Sequence, residues 1–176
     1  MIERFKEIFE GNQKAFGQLI LTGETTSKGK EVGKAFIKRE EIPDKLWQDH
    51  LDGKDPALGV IPINENNSCR WGCIDVDEYI GLKHIDIIKN IQKLNLPLVT
   101  FRSKSGGAHL FLFTSEFIPA SLMQSKLKAM SEALGFGGSE IFPKQTEILV
   151  ERGDTGNFLN LPYHGDIRGM RYAFKD

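Results

Sequence analysis

A strand that ends in two acids constrains this chain more than any other feature. Residues 71–77 contain several apolar and β-favouring residues and lie between a predicted turn and a predicted helix. This pattern predicts a β-strand. Because side chains alternate along a strand, four of them share one face: Trp71, Cys73, Asp75 and Asp77. Ile74 and Val76 then point to the other face, toward a core.

Two carboxylates on one strand face indicate a cation site. With a rise of about 3.3 Å per residue, Asp75 and Asp77 lie about 7 Å apart at Cα. Neighbouring carboxylates repel unless a cation lies between them, and hard oxygen ligands without thiolate favour Mg²⁺ or Mn²⁺ over zinc. The alternative is an exposed strand end whose acids are solvated.

A glycine turn between two further predicted strands, 96–101 and 110–113, suggests an anion site. The turn combines two cations, small residues and a histidine that begins the next strand. These candidate phosphate-binding residues are Arg102, Lys104, Ser105, Gly106, Gly107 and His109. Successive amides in a glycine turn can form an anion-binding concavity, and Arg and Lys add positive charge. The turn therefore predicts phosphate binding, although an ordinary β-hairpin would also explain the glycines.

Four blocks in this order resemble the archaeo-eukaryotic primase superfamily, most of all the primase–polymerase domains of phages and of TOTE conflict systems. The blocks are 69–77, 101–110, 140–145 and 156–162. The resemblance extends over about residues 46–172. It implies a DNA primase or DNA-directed polymerase that joins nucleoside triphosphates by a two-metal mechanism on a single-stranded or primed DNA template.

The same resemblance implies roles for individual residues. Asp75 and Asp77 match the metal-binding acids of the family, and His109 matches the histidine that contacts the phosphates of the incoming nucleotide. Glu140 is our choice for the third catalytic acid and metal ligand, with Glu147 and Glu151 as open alternatives. The superfamily often has Ser-x-His in its second motif, where this chain has glycine at position 107, as its branch commonly does. Lys144 and Asn157 are further candidates for nucleotide contacts, although a surface or turn role is equally compatible with the sequence.

The predicted fold class is α/β (α+β). We expect an RRM-like, mixed and largely antiparallel sheet with packed helices, the core that the resemblance implies. The chain is predicted to be a single primase–polymerase domain over 1–176, with an N-terminal unit at about 1–55 and the RRM-like core at about 56–176. We expect either a chain truncated at its C-terminus or an unusually minimal protein, since family members usually continue further.

Periodicity places the other elements. Helices are predicted at 2–10, 43–51, 82–94 and 119–134, and strands at 16–21 and 33–37 around a polar loop at 23–32. That loop contains Lys28 and Lys30. We expect a surface loop there, with a template contact as the alternative.

Composition limits the partners and the compartment. The net charge is −1, so a nucleic-acid groove must be local. Cys69 and Cys73 lack two further ligands at zinc spacing, so we expect no structural zinc. Without a signal peptide or an apolar run of membrane length, we expect a cytoplasmic protein that does not contact membranes. The resemblance adds a helicase domain or subunit as a partner.

Two other functions fit parts of the sequence. A metal-dependent, replication-initiator-like nuclease would use Tyr79 or Tyr163 as its nucleophile and His109 as a ligand, but the remaining histidines are scattered. A non-catalytic module that binds nucleic acid or nucleotides would use the same surfaces without chemistry.

Overall fold

The computed structural model describes residues 2–25, 31–77, 81–165 and 171–174. The helices are α1 (Ile2–Ile8), α2 (Asp44–Leu51), α3 (His84–Lys93) and α4 (Ala120–Ala133), with a 3₁₀ turn at Val150–Arg152. The strands are β1 (Phe16–Thr25), β2 (Glu31–Lys38), β3 (Ala57–Val60), β4 (Ser68–Val76), β5 (Val99–Arg102), β6 (Ala108–Pro119), β7 (Glu140–Phe142) and β8 (Leu159–Asn160). Within the described part of the chain, each helix is too short and too polar to cross a bilayer.

The second half of the chain forms an RRM-like unit. Its elements follow the order β4, α3, β5, β6, α4, β7, which is the split βαβ arrangement. The strands form an antiparallel sheet in the order β5-β6-β4-β7. This confirms the predicted RRM-like fold and places β4, with its two acids, in the interior of the sheet.

Helices α3 and α4 cover one face of this sheet. Ile87 and Ile91 of α3 lie one turn apart and are buried, as are Met123 and Leu127 of α4. They share one hydrophobic cluster with residues of β4 and β6: Ile74, Val76, Leu110 and Leu112. The prediction that Ile74 and Val76 point toward a core is therefore confirmed.

An aromatic core covers the other face of the sheet. Trp71 and Phe111 are fully buried there, and the ring of Phe9 from the N-terminal segment makes edge contacts with both. Trp71 also donates its indole N–H to the carbonyl of Glu10 at 2.9 Å. Because the N-terminal segment packs on this face, both sides of β4 are buried over most of its length.

A second antiparallel sheet joins the N-terminal strands to later segments in the order β2-β1-β3-β8. Strand β3 pairs with β1 on one side and with β8 on the other. The ring of Phe158, just before β8, lies over Gly17 and Gly59 so closely that a Cβ atom at either glycine would overlap it. The N-terminal strands and residues 57–60 and 158–160 thus form one packed unit, while the predicted boundary near residue 55 stays a prediction.

The predicted helices exist, with bounds that differ by one or two residues at their ends. The described ends of the predicted loop 23–32 are strand, because β1 extends to Thr25 and β2 begins at Glu31. Lys28 and Lys30 lie outside the described residues. The C-terminal segment pairs with β5 through one antiparallel bridge between Phe101 and Ala173.

Candidate active site

Four residues lie in register across the RRM-like sheet near the end of β4. Phe101 of β5 is opposite His109 of β6, His109 is opposite Asp75 of β4, and Asp75 is opposite Glu140 of β7. Directly opposed residues in antiparallel strands have Cβ atoms about 5 Å apart on the same face. The sheet therefore brings together two acids and a histidine from three strands, which we call the Asp75 row (Asp75, His109 and Glu140).

The carboxylate of Asp75 is largely buried and has few hydrogen-bonding partners. Its Oδ1 atom is buried and accepts no hydrogen bond from any described residue. The Nε2 atom of His109 lies 3.2 Å away, close enough for an ion pair if the imidazole is protonated, but without the geometry of a hydrogen bond. The two side chains are only 16% and 10% exposed. An unpaired buried oxygen is costly, so this position is suited to a cation.

Glu140 pairs with a lysine on the loop that follows its strand. Lys144 Nζ lies 2.7 Å from Glu140 Oε2, and the same ammonium is 5.1 Å from the centre of the Phe142 ring. The Glu140 side chain is 62% exposed. Glu140 is therefore in register with Asp75, but its carboxylate already has a cationic partner.

The two alternative acids lie elsewhere. Glu147 lines a depression with Ser68, at the opposite end of β4 from Asp75. Glu151 is exposed in the 3₁₀ turn, whose following residue, Gly153, accepts a hydrogen bond from Arg39. Among Glu140, Glu147 and Glu151, Glu140 is the one that the strand register places beside Asp75.

Asp77 lies one residue beyond the end of β4 and is exposed. Residues 78–80 follow outside the described part of the chain. By strand alternation Asp77 would continue the face of Asp75, but pairing across the sheet has ended at Val76. Its place in a shared site stays a prediction.

The turn between β5 and β6 closes on itself. The Ser103 amide donates to the Gly107 carbonyl at 2.9 Å, and the Gly106 amide donates to the Ser103 carbonyl at 3.1 Å. Gly106 has φ of +94°, a conformation that favours glycine. Because the Gly106 amide is used inside the turn, the predicted anion concavity would rely on the other amides and on side chains.

Arg102 and His109 leave the hairpin on opposite faces. Arg102 is opposite Ala108, and strand alternation puts both on the face of Leu110 rather than the face of His109. The Arg102 guanidinium donates to the Ser103 carbonyl at 3.3 Å. Arg102 thus contacts the backbone of the turn, and its contact with phosphate stays a prediction, as do those of Lys104 and Ser105.

Two residues at this turn were not anticipated from the sequence. The Nε2 atom of His84, at the start of α3, donates to the Gly107 carbonyl at 3.0 Å, and its ring stacks on Phe174 at 4.6 Å. The Ser103 hydroxyl is buried and has no hydrogen-bond partner among the described residues. A serine inside the motif was a visible signal, whereas the contact of His84 depends on how α3 packs.

The donors of the Asp75 row suit a divalent ion, although the described residues form no complete set of metal ligands. No group of three or more His, Cys, Asp or Glu side chains in the described ranges is arranged to hold a metal. The buried, unpartnered Oδ1 of Asp75 and the nearby Glu140 carboxylate are hard oxygen donors of the kind that Mg²⁺ and Mn²⁺ prefer. The residues therefore fit such an ion, provided that Glu140 turns from Lys144.

The family model for the TOTE conflict system, Archaeo-Eukaryotic Primase domain, matches residues 24–174. The chain belongs to this primase family. The matched region contains the whole Asp75 row and the turn that precedes His109. Membership supports a primase-like nucleotidyl-transferase function in general. No curated protein shows significant similarity to the chain.

The histidines of this primase domain do not form the cluster that a nuclease would use. His50 lies 5.2 Å from His164 between ring centres, but its Nδ1 accepts from the Leu58 amide and its Nε2 donates to the Pro162 carbonyl. Burial lowers the pKa of His50 to about 4. His50 is thus a neutral structural residue whose ring nitrogens are both in use.

Tyr163, one of the two tyrosines suggested for a nuclease, gains no support as a nucleophile. Burial raises the pKa of Tyr163, which makes its phenolate harder to form, and its ring packs against Phe5 and Phe101. Tyr79 lies outside the described residues.

Proposed function

We propose that this primase domain is a template-dependent nucleotidyl transferase that joins nucleoside triphosphates. The observation that carries the proposal is the Asp75 row, which lies at the end of a sheet face that is otherwise apolar and buried. Charged groups are expensive at such a position and are kept there mainly for function. In a chain of the primase family, the function that suits them best is binding of a metal–nucleotide complex.

Asp75, Asp77 and Glu140 would hold the Mg²⁺ or Mn²⁺ ions. When bound, such ions activate the attacking 3′-hydroxyl and neutralise charge on the phosphates. Glu140 would leave its pair with Lys144, and the freed Lys144 ammonium could then contact a phosphate oxygen beside the ion. This exchange keeps both charges of the pair compensated before and after nucleotide binding.

His109, Lys104, Ser105 and the turn at Gly106 and Gly107 would hold the triphosphate. The Nε2 atom of His109 lies 3.2 Å from Asp75 Oδ1, so the imidazole is beside the proposed metal ligand. A protonated imidazole here would donate to a phosphate oxygen, and no protein nucleophile is needed, since phosphoryl transfer mainly requires positioning and charge stabilisation.

A primer-extension assay with labelled triphosphates and Mg²⁺ or Mn²⁺ tests the proposal. The variant is Asp75→Ala/Asp77→Ala, and the matched control is Glu147→Ala/Glu151→Ala, which removes the same charge. We expect the variant to lose at least about a hundredfold in rate and the control to stay within about twofold.

Other outcomes would redirect the assignment. Strand cleavage in place of extension would support the nuclease. Metal-independent binding without extension would support a non-catalytic binding module. Absence of extension with every metal and template tried would contradict the proposal.

A further inference from the structure

Strands β1 and β2 form a two-stranded ribbon whose outer part is exposed on both faces. The ribbon is defined here as residues 18–22 and 32–38. Phe36 and Ile37, neighbours in β2, are each 43% exposed, and Ile20 of β1 is 45% exposed. Large apolar side chains that stay exposed on a projecting strand pair suggest a surface that meets a partner.

On one face of the ribbon, lysine side chains alternate with an aromatic ring. Lys34, Phe36 and Lys38 alternate along β2 and so point to the same side. Ile20 and Gln18 of β1 are opposite Lys34 and Phe36 and complete this Lys–Phe–Lys face. By a rise of about 3.3 Å per residue, the two lysines lie about 13 Å apart with the ring between them.

The two lysines of this face have no acidic partner among the described residues. Both are exposed, and neither makes a hydrogen bond or ion pair with a described residue. No acid occurs among the described side chains of the Lys–Phe–Lys face. The opposite face differs, since Leu19, Ala35 and Ile37 give it apolar groups without charge.

The Lys–Phe–Lys face is on the same side of its sheet as the aromatic core. Phe16, which precedes Gln18 on that face, is buried in the same cluster as Trp71 and Phe111. That cluster lies on the face of the RRM-like sheet that carries His109 and Asp75. A strand held by the ribbon would therefore lie on the face of the second sheet that packs, further along, against the aromatic core.

We propose that the Lys–Phe–Lys face binds single-stranded nucleic acid. Lys34 and Lys38 would contact phosphates, and a base would stack on Phe36, the combination that single-strand-binding surfaces use. The identification of this strand as the template rests on the proposed function. Because the net charge is −1, nucleic acid would have to be held by a local cationic surface of this kind.

A second copy of the chain is a poorer occupant. A symmetric dimer through this face would bring Lys34 and Lys38 against the same lysines of the other copy, and like charges oppose such a contact. The extended backbone of a nucleic acid supplies the opposite charge.

Fluorescence anisotropy with a labelled, single-stranded oligonucleotide, without metal or triphosphate, tests the proposal. Phe36→Ala should weaken binding about tenfold, whereas Ile37→Ala, an equally exposed neighbour on the other face, should change it less than about twofold. Phe36→Trp should retain binding because it keeps a stacking surface. Deoxy- and ribo-oligonucleotides and a duplex are compared in parallel, and tighter binding of the duplex would contradict a stacked single strand.

Charge is tested separately. Lys34→Ala/Lys38→Ala should lower the slope of log affinity against log salt by about 1.4, the value for two lost phosphate contacts with a single strand. Lys89→Ala/Lys126→Ala, at two exposed helix positions, should leave it unchanged.

Failure of this proposal is distinguishable from failure of the proposed function. Equal effects of Phe36→Ala and Ile37→Ala, or no oligonucleotide binding by the wild-type chain, would overturn the ribbon assignment. A dimer that Phe36→Ala disrupts, without oligonucleotide binding, would overturn it as well. Asp75→Asn should abolish extension and leave oligonucleotide binding intact, so a lost enzymatic activity does not bear on the ribbon.

Discussion

Two antiparallel strand pairs of similar length have opposite environments in this protein. The β4–β6 pair is covered by helices on one face and by aromatic rings on the other, whereas the β1–β2 ribbon is exposed on both. On the face of the first pair that carries Trp71 and Phe111, the charged and imidazole groups lie at one end, at Asp75 and His109. In the second, lysines alternate with an exposed aromatic residue along one face of β2.

This difference in burial implies that the β4–β6 pair contributes mainly to stability and the β1–β2 ribbon mainly to binding. Substitutions in the covered pair should change the free energy of unfolding, except in the Asp75 row, where a charge is held at a cost. Substitutions in the outer ribbon should change what the protein binds and leave its folding nearly unaffected. The predictions below test this separation, from the largest expected change in free energy to the smallest.

Phe111→Ala and Phe36→Ala remove the same side chain from the two regions. Phe111 is fully buried, so its loss should lower the free energy of unfolding by about 3–5 kcal/mol. Phe36→Ala should change it by less than about 0.5 kcal/mol. Urea unfolding monitored by circular dichroism measures both, and similar losses for the two variants would break the comparison.

Acid should destabilise the folded protein through His50, a buried residue of α2 whose ring stacks on Phe5 of the aromatic core. Its pKa is about 4 in the folded protein and 6.5 ordinarily, so between these values the unfolded chain binds a proton that the folded chain does not. The free energy of unfolding should therefore fall by about 3 kcal/mol as pH decreases from 6.5 to about 4. The ribbon contains no histidine and should not contribute.

His50→Gln is the control for this pH response. It should be less stable at pH 7, because the bonds to Leu58 and Pro162 are perturbed, and it should lose most of the pH dependence. An unchanged pH dependence in the variant would assign the response to other groups.

Lys144→Ala should have a small effect on stability and should test the role of the Asp75 row directly. Its pair with Glu140 is largely exposed, so unfolding should change by less than about 1 kcal/mol. Without nucleotide, Mn²⁺ should bind up to about fivefold tighter, because a competing cation is gone. Titration calorimetry measures this change, with Lys128→Ala as the control, and weaker Mn²⁺ binding by the Lys144 variant would contradict it.

Local patterns were sufficient to predict much of the site. Alternation along 71–77 placed Asp75 on the correct face, and the glycine turn predicted the hairpin that carries His109.

Features that depend on distant pairing were harder to predict. β7 is three residues long, too short for a periodic signal, so the resemblance alone singled out Glu140. The joining of β3 and β8 to the N-terminal sheet has no local signal either. A bulge between Cys69 and Trp71 places Cys69 and Cys73 in different cores, which strand spacing by itself would not reveal.

The central claim is that the Asp75 row binds a metal–nucleotide complex, and Mn²⁺ binding in the presence of a non-hydrolysable triphosphate tests it most directly. Electron paramagnetic resonance reports free Mn²⁺ in titrations of the wild type and of Asp75→Asn, Glu140→Gln and Glu147→Gln. We predict a loss of affinity of at least about tenfold for the first two variants and less than about twofold for Glu147→Gln. Equal affinity in the wild type and Asp75→Asn would contradict the account.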